Sequence, residues 1–164
     1  MTFHIGDWVV HPLHGVGQVI NLERKLFAAG PDQAYYEIAI AQGTVWVLVE
    51  VPAGLRGLTA KGDLPVYRDV LQNSPTPLNQ DYHQRRDELR ERLKAGTFQA
   101  QCEVVRDLTA FGRQKRLSEP EATLLRAARD GLCREWAAAA AMSLAEATHE
   151  VEELLRAARH VHSE

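Results

Sequence analysis

The repeat of apolar residues changes near residue 64, and this change limits the fold more than any other feature of the sequence. Upstream, DWVVHP, GVGQVINL, YYEIAI and TVWVLVEV are short β-branched and aromatic runs separated by Gly, Pro, Asn and Asp, the pattern of strands joined by turns. AQGT places Gly43 where a tight hairpin wants a positive backbone angle, and HPLHG turns the chain between the first two runs. Four or five short antiparallel strands are too few for a sandwich and enough for a small curled sheet or barrel.

Downstream the period is helical. Pro65 suits the first turn of a short helix, PVYRDVLQ, which NSPTP interrupts. The next helix is expected from about Asn79 to Gly96, a natural C-terminal cap. TFQAQCEVVRDLTAF places Phe98, Cys102, Val105 and Leu108 on one face. SEPE offers Ser118 and Glu121 as a capping box for a helix whose stripe runs Ala122, Leu125, Ala128, Leu132, Trp136. SLAE repeats the device ahead of a last apolar face of Leu144, Val151, Leu154, Leu155 and Ala158. The fold class is therefore α+β: a small antiparallel β domain over residues 1–64, then an all-α bundle of four or five helices over residues 65–164.

Composition excludes several classes of function. Apolar residues at 45% and charged residues at 25% of 164 can build a core, so wholesale disorder is not expected. No run is long and apolar enough to span a membrane, and MTFHIGDW does not read as a secretion signal, so a soluble cytoplasmic protein is expected. Cys102 and Cys133 fall on apolar helix faces, where a free thiol behaves as a small buried hydrophobe. The seven histidines lack cysteine or carboxylate partners at metal-ligand spacing, and there is neither a phosphate-binding glycine loop nor a nucleophile with a nearby base motif. No catalytic residue, metal or cofactor is expected.

PLNQDYHQRRDELRERL carries the feature that does suggest a function. The net charge is −3, yet residues 65–117 hold ten basic against seven acidic side chains, the basic surplus of the chain. On a helical wheel Leu78, Leu89 and Leu93 fall within about 40° of Tyr82, and Arg85, Arg86, Arg90 and Arg92 border that stripe. In one reading these are arginines laying methylenes along a buried stripe, with Glu88 and Arg92 as a helical ion pair. In the other, the first turn overhangs the core, so that Tyr82 is a presented wedge and the guanidiniums hold phosphates beside it. An acidic chain cannot grip DNA with so few cations alone, so this second reading requires a carrier that raises the local concentration. An exposed strand edge of the β domain could pair with such a carrier.

FHIGDWVVHPLHGVGQV, the AQG hairpin, PLNQDYHQRR and CEVVRDL followed by RLSEPEATLLRAAR resemble, in order and spacing, the CarD family of bacterial transcription regulators over nearly the whole chain. The resemblance implies a Tudor-like β-barrel that binds the RNA polymerase β subunit and a helical domain that contacts promoter DNA at the upstream edge of the melted bubble. It also implies a non-enzymatic, monomeric factor that stabilises the open complex. Tyr82 stands where the family carries a wedging tryptophan; the basic residue matching Arg85 is kept, and another basic position falls at or near Asp87. With Arg86 and Arg90 these residues are the expected DNA contacts. On the polymerase side Lys25 matches a basic family position, and a second falls at Trp46 or Leu48, depending on the placement of a one-residue gap. Phe27, close to Lys25, is a further candidate contact. Trp46 reads most simply as a barrel side chain, and as an interface residue if it points outward; Trp8 and Trp136 read as core. A different class of function also fits: a polymerase-bound adaptor whose helices dock another protein without touching DNA.

Overall fold

The computed structural model describes residues 2–25, 33–52 and 54–162, with the backbone alone at Lys25 and at 159–162. The strands are β1 (Trp8–His11), β2 (Gly15–Lys25), β3 (Gln33–Ile40), β4 (Gly43–Leu48) and β5 (Arg56–Gly57). A 3-10 turn at Lys61–Asp63 leads into α1 (Leu64–Gln72), α2 (Tyr82–Lys94), α3 (Phe98–Gln114), α4 (Glu119–Ala140) and α5 (Leu144–His162). The chain forms two compact units, Met1–Leu58 and Thr59–Glu164. The break precedes the change of pattern at residue 64 because Thr59 donates its backbone N–H and its hydroxyl to buried Glu135 of α4, at 3.1 and 2.6 Å.

In the first unit the strands form one antiparallel sheet in the order β4-β3-β2-β1-β5. It is the small curled Tudor-like sheet expected, and it stays open: β5 is two residues long, and among the described residues no ladder joins it to β4. Phe3, Val9, Val19, Tyr36, Ile38, Val47 and Leu55 are buried on the inner face, with Ile40, Val45 and Val49 packed against them. Side chains alternate across a strand, so Trp46 and Leu48, between these valines of β4, lie on the outer face opposite Glu37 and Tyr35. Trp8 is not core: it is 50% exposed, because the neighbouring Val9 takes the inward position and Trp8 pairs with Gln18 on the other face. A register shift between Val19 and Asn21 leaves Ile20 as an extra residue of β2, and Ile20 and Leu22 are exposed beside it. Gly43 has φ +142°, the positive angle expected of the β3–β4 hairpin.

In the second unit the expected stripes pack together. Phe98, Cys102 and Val105 of α3, Ala128, Leu132, Cys133 and Trp136 of α4, and Val151, Leu154 and Leu155 of α5 form one buried cluster with Leu64 and Leu71 of α1. Trp136 is fully buried, as expected. Leu144 departs from the expected face: at the first position of α5 it is exposed, and Ala147 fills the stripe in its place. A second cluster of Leu89, Val104 and Leu108, flanked by Leu78, Leu93, Leu117, Leu124 and Leu125, holds α2 against α3.

Asp107 joins these pieces. Its buried carboxylate accepts from Thr76 N–H at 2.9 Å, Arg106 Nε at 2.9 Å and Arg92 Nη2 at 2.8 Å, while Arg106 Nη1 donates to the Val70 carbonyl at 3.0 Å. The NSPTP segment and α2 are thus tied to α3 by charge-assisted bonds, which are stronger than neutral ones. Arg92 takes Asp107 as its partner in place of the expected Glu88, whose carboxylate accepts from Asn79 Nδ2 at 3.2 Å.

Candidate nucleic-acid interface

Helix α2 starts at Tyr82, three residues later than the sequence suggested. Asn79 Oδ1 accepts from Asp81 N–H at 2.9 Å, which turns the chain, and Asp81 caps the helix by accepting from Gln84 N–H at 3.0 Å. Tyr82 is therefore the first residue with helical geometry. The helix ends as expected, with Gly96 at φ +70° beyond the cap.

This start sets the ring apart from the buried leucine stripe. Leu89 is fully buried and Leu93 packs beside it, but Tyr82 lies a further two turns toward the N-terminus, outside the leucine cluster. Its ring is half-buried and forms part of the wall of an open cleft of about 430 Å³, with Arg85, Arg116, Leu117, Ser118, Glu119 and Glu121. The adjacent His83 ring meets it edge-on with centroids 5.3 Å apart. Among the described residues the Tyr82 hydroxyl has no hydrogen-bond partner, so the polar end of the side chain is left to solvent or to a ligand.

The arginines behave differently from one another. Arg85, expected to hold phosphate, is 7% exposed and turned inward. Its Nε and Nη2 donate to the two carboxylate oxygens of Glu121 at 2.9 and 3.1 Å, and its Nη1 donates to the carbonyls of Asn79 and Gln80. The guanidinium carbon sits 4.4 Å from the centre of the Phe111 ring and 5.7 Å from that of Tyr82. With four of its five N–H donors engaged inside the protein and aromatic rings of Phe111 and Tyr82 beside it, this guanidinium is committed to the Glu121 pair and not presented to solvent; Arg85 packs against Tyr82.

Glu121 supports this arrangement. Its carboxylate also accepts from the Ser118 hydroxyl at 2.8 Å, while its backbone N–H donates to Ser118 Oγ at 3.3 Å. The expected capping box is thus half realised: Ser118 caps α4, but the glutamate side chain is diverted to Arg85. The hydrogen bonds from Arg85, and less so that from Ser118, hold the Glu121 carboxyl below its ordinary range against the opposing effect of burial. The same pairing raises Arg85.

Arg86 is partly exposed, and its Nε lies 3.6 Å from the Asp87 carboxylate. Arg90 is exposed and makes no ion pair among the described residues. On the sheet unit, Trp46 and Leu48 are partly exposed on the outer face of β4, a sheet edge. The Lys25 backbone ends β2 opposite Gln33, and Phe27 lies outside the described residues. The Glu121 anchor was not legible in the sequence, since partners 36 residues apart leave no periodic trace.

The comparisons agree with this organisation. Residues 3–53 match the family model described as CarD-like/TRCF RID domain, and residues 67–152 match that of the CarD C-terminal domain. A protein of Bacillus subtilis (strain 168) named "Putative transcription factor YdeB" is 28% identical over 127 residues, which cover 75% of this chain and 82% of that protein. With both halves matched in order, the chain belongs to the CarD family of transcription regulators.

Proposed function

We propose that this transcription regulator is a non-enzymatic cytoplasmic factor. Its sheet unit binds the RNA polymerase β subunit, and its helical unit contacts promoter DNA at the upstream edge of the bubble, stabilising the open complex. The observation that carries the DNA contact is the placement of Tyr82, which occupies the first position of α2 outside the leucine cluster, on the wall of an open cleft. A ring held in that position by a buried ion pair is pre-organised, so little ordering entropy opposes its insertion beside a base step. The cations nearest along its own helix are Arg86, beside Asp87, and Arg90.

A net charge of −3 gives weak affinity for free DNA, so the contact depends on delivery by the polymerase. Trp46 and Leu48 on the outer face of β4, with Lys25 at the end of β2 and Phe27, which lies outside the described residues, are the proposed polymerase contacts. The accessible edge of β4 suits pairing with a strand of the partner. Binding can move the promoter equilibrium only through a higher affinity for the melted form, so Tyr82 must fit the junction of duplex and opened strands better than intact duplex.

The test is the lifetime of open promoter complexes with the native protein and with Tyr82→Ala. A shorter lifetime with the variant is expected; equal lifetimes remove the wedge. The competing reading, an adaptor without DNA contact, draws on the carboxylate of Glu119 in the same cleft, which would repel phosphate. A photo-crosslinker at position 82 separates the two readings, since an adaptor gives protein adducts and no DNA adduct.

A further inference from the structure

We propose that Lys115 and Arg116, in the connection between α3 and α4, are phosphate contacts that grip the backbone of the same duplex that meets Tyr82. The proposal rests on the DNA-contacting reading above and names cations that lie outside α2. With Arg85 neutralised by Glu121, the charge beside the ring on its own helix is reduced, and the other wall of the cleft supplies it. Arg116 forms part of that wall, is exposed, and makes no ion pair among the described residues. Lys115 is also exposed, and its Nζ donates to the side-chain oxygen of Gln80, two residues ahead of Tyr82. Both cations therefore stand over the N-terminal end of α2.

Basic residues in a loop are usually a solvated run, but this connection is pinned at both ends. The Lys115 N–H donates to the Phe111 carbonyl at 2.9 Å, which closes α3. Leu117 is turned into the leucine cluster, and it approaches Gly112 so closely that a Cβ there would lie 3.2 Å from the Leu117 side chain. Ser118 then caps α4. Between a residue anchored inward and a helix cap, the Arg116 backbone has little freedom. The point from which its side chain leaves the backbone is thus fixed beside the cleft, which lowers the backbone entropy lost on meeting a ligand. The nearby acids decide the choice of partner. Glu121 is occupied by Arg85, Asp81 caps α2, and Glu119 stands at the cleft, so a free small anion would meet a mixed field. A duplex backbone, with a phosphate about every 3.4 Å of helix axis along each strand, can engage both cations while its base edges meet the ring.

The experiment uses the full chain on polymerase–promoter complexes and measures open-complex lifetime against potassium chloride concentration. Native protein, Tyr82→Ala, Lys115→Gln with Arg116→Gln, and Arg116→Lys alone are compared. The glutamine pair is expected to shorten the lifetime by roughly an order of magnitude and to lower the log–log salt slope by about two, one unit per lost phosphate contact. Arg116→Lys keeps the native slope, which distinguishes a charge contact from a structural role. Tyr82→Ala shortens the lifetime with the slope unchanged. If the glutamine pair keeps the native lifetime and slope while Tyr82→Ala shortens the lifetime, this proposal is overturned and the wedge stands. If neither variant differs from native, or native protein itself has no effect, the DNA-contacting reading fails and this proposal with it.

Discussion

The outer face of the sheet and the Tyr82 corner of the helical unit both present aromatic side chains to solvent, yet they are built from opposite materials. Around the sheet, Trp8, Ile20, Leu22 and Val51 are exposed apolar residues, and Trp46 and Leu48 lie on the outer face of an edge strand. At the corner a single tyrosine stands among arginines, a lysine and carboxylates, held by a buried ion pair. The first composition suits a protein surface, where aromatic anchors carry the affinity; the second suits a polyanion, which rewards charge and a flat ring. Two surfaces this different are what the proposed function, joining a protein to a nucleic acid, requires.

The sharpest way to break the comparison is to separate the group that holds the ring from the ring itself. Arg85→Ala leaves Glu121 as a buried carboxylate without its partner, and removing one member of such a pair costs about 3–5 kcal/mol. Tyr82→Ala removes a half-exposed ring and should cost less than about 1 kcal/mol. Urea unfolding of both variants measures the difference. Similar losses would mean that Tyr82 is a structural residue after all, and the corner would lose its claim to be a presented surface.

On the sheet the equivalent separation lies between adjacent residues of neighbouring strands. Ile38→Ala opens a cavity in the inner face and should destabilise the unit by about 2–5 kcal/mol. Trp46→Ala, on the other face, should leave stability nearly unchanged while weakening binding to the isolated β subunit by about 1–2 kcal/mol, the cost of losing an interface aromatic. Calorimetric titration of the subunit with the two proteins tests this. Undiminished binding by Trp46→Ala would move the polymerase contact elsewhere on the sheet.

How far these surfaces were legible in the sequence follows from the range of the interactions that make them. Strand and helix identities, the caps at Ser118 and Ser143, the end of α2 at Gly96 and the burial of Trp136 follow from local pattern, and all are present. Trp8 was misread because WVVH has two valines in succession, so alternation gives two faces without saying which is inside. Closure of the sheet depends on whether the two residues of β5 reach β4, which no local pattern encodes. Arg85 was misread for a third reason. A helical wheel places it at the border of the apolar stripe, where an arginine commonly reaches water. Glu121 is brought to it only by the packing of α4, and Phe111 by that of α3.

A smaller change sharpens the corner. Tyr82→Trp enlarges the stacking surface and replaces a hydroxyl that has no partner among the described residues by an indole N–H. If the ring meets a base step, the open complex should live a few-fold longer, since aromatic contacts of this kind are worth about 0.5–1.5 kcal/mol beyond area. A shorter lifetime would indicate that the cleft accepts the phenol by shape, with Arg116 and Leu117 closing behind it.

The smallest expected effect uses pH to set the two regions against each other. Glu121 is held below its ordinary value of 4.5, so its contribution to the helical unit is complete above that value and is lost only as the pH falls through the depressed one. His11, the last residue of β1 before the turn into β2, is lowered from 6.5 by burial and by the neighbouring His14, and its Nδ1 accepts from the backbone N–H groups of Leu13 and His14 at 3.0 and 3.3 Å. Its neutral form is the one the fold favours, so the turn is fully stable above pH 6.5 and weakens as the pH falls from there toward the depressed value. Amide exchange at Leu13 and His14 should therefore accelerate in mildly acidic buffer, while the amide of Glu121 at the corner stays protected until strongly acidic conditions. His11→Asn, which keeps a side-chain acceptor near the turn without the titration, should remove the pH dependence at Leu13 and leave the corner unchanged. Simultaneous loss of protection in both regions would show that the units unfold as one, and that the contrast between the two surfaces does not extend to their stability.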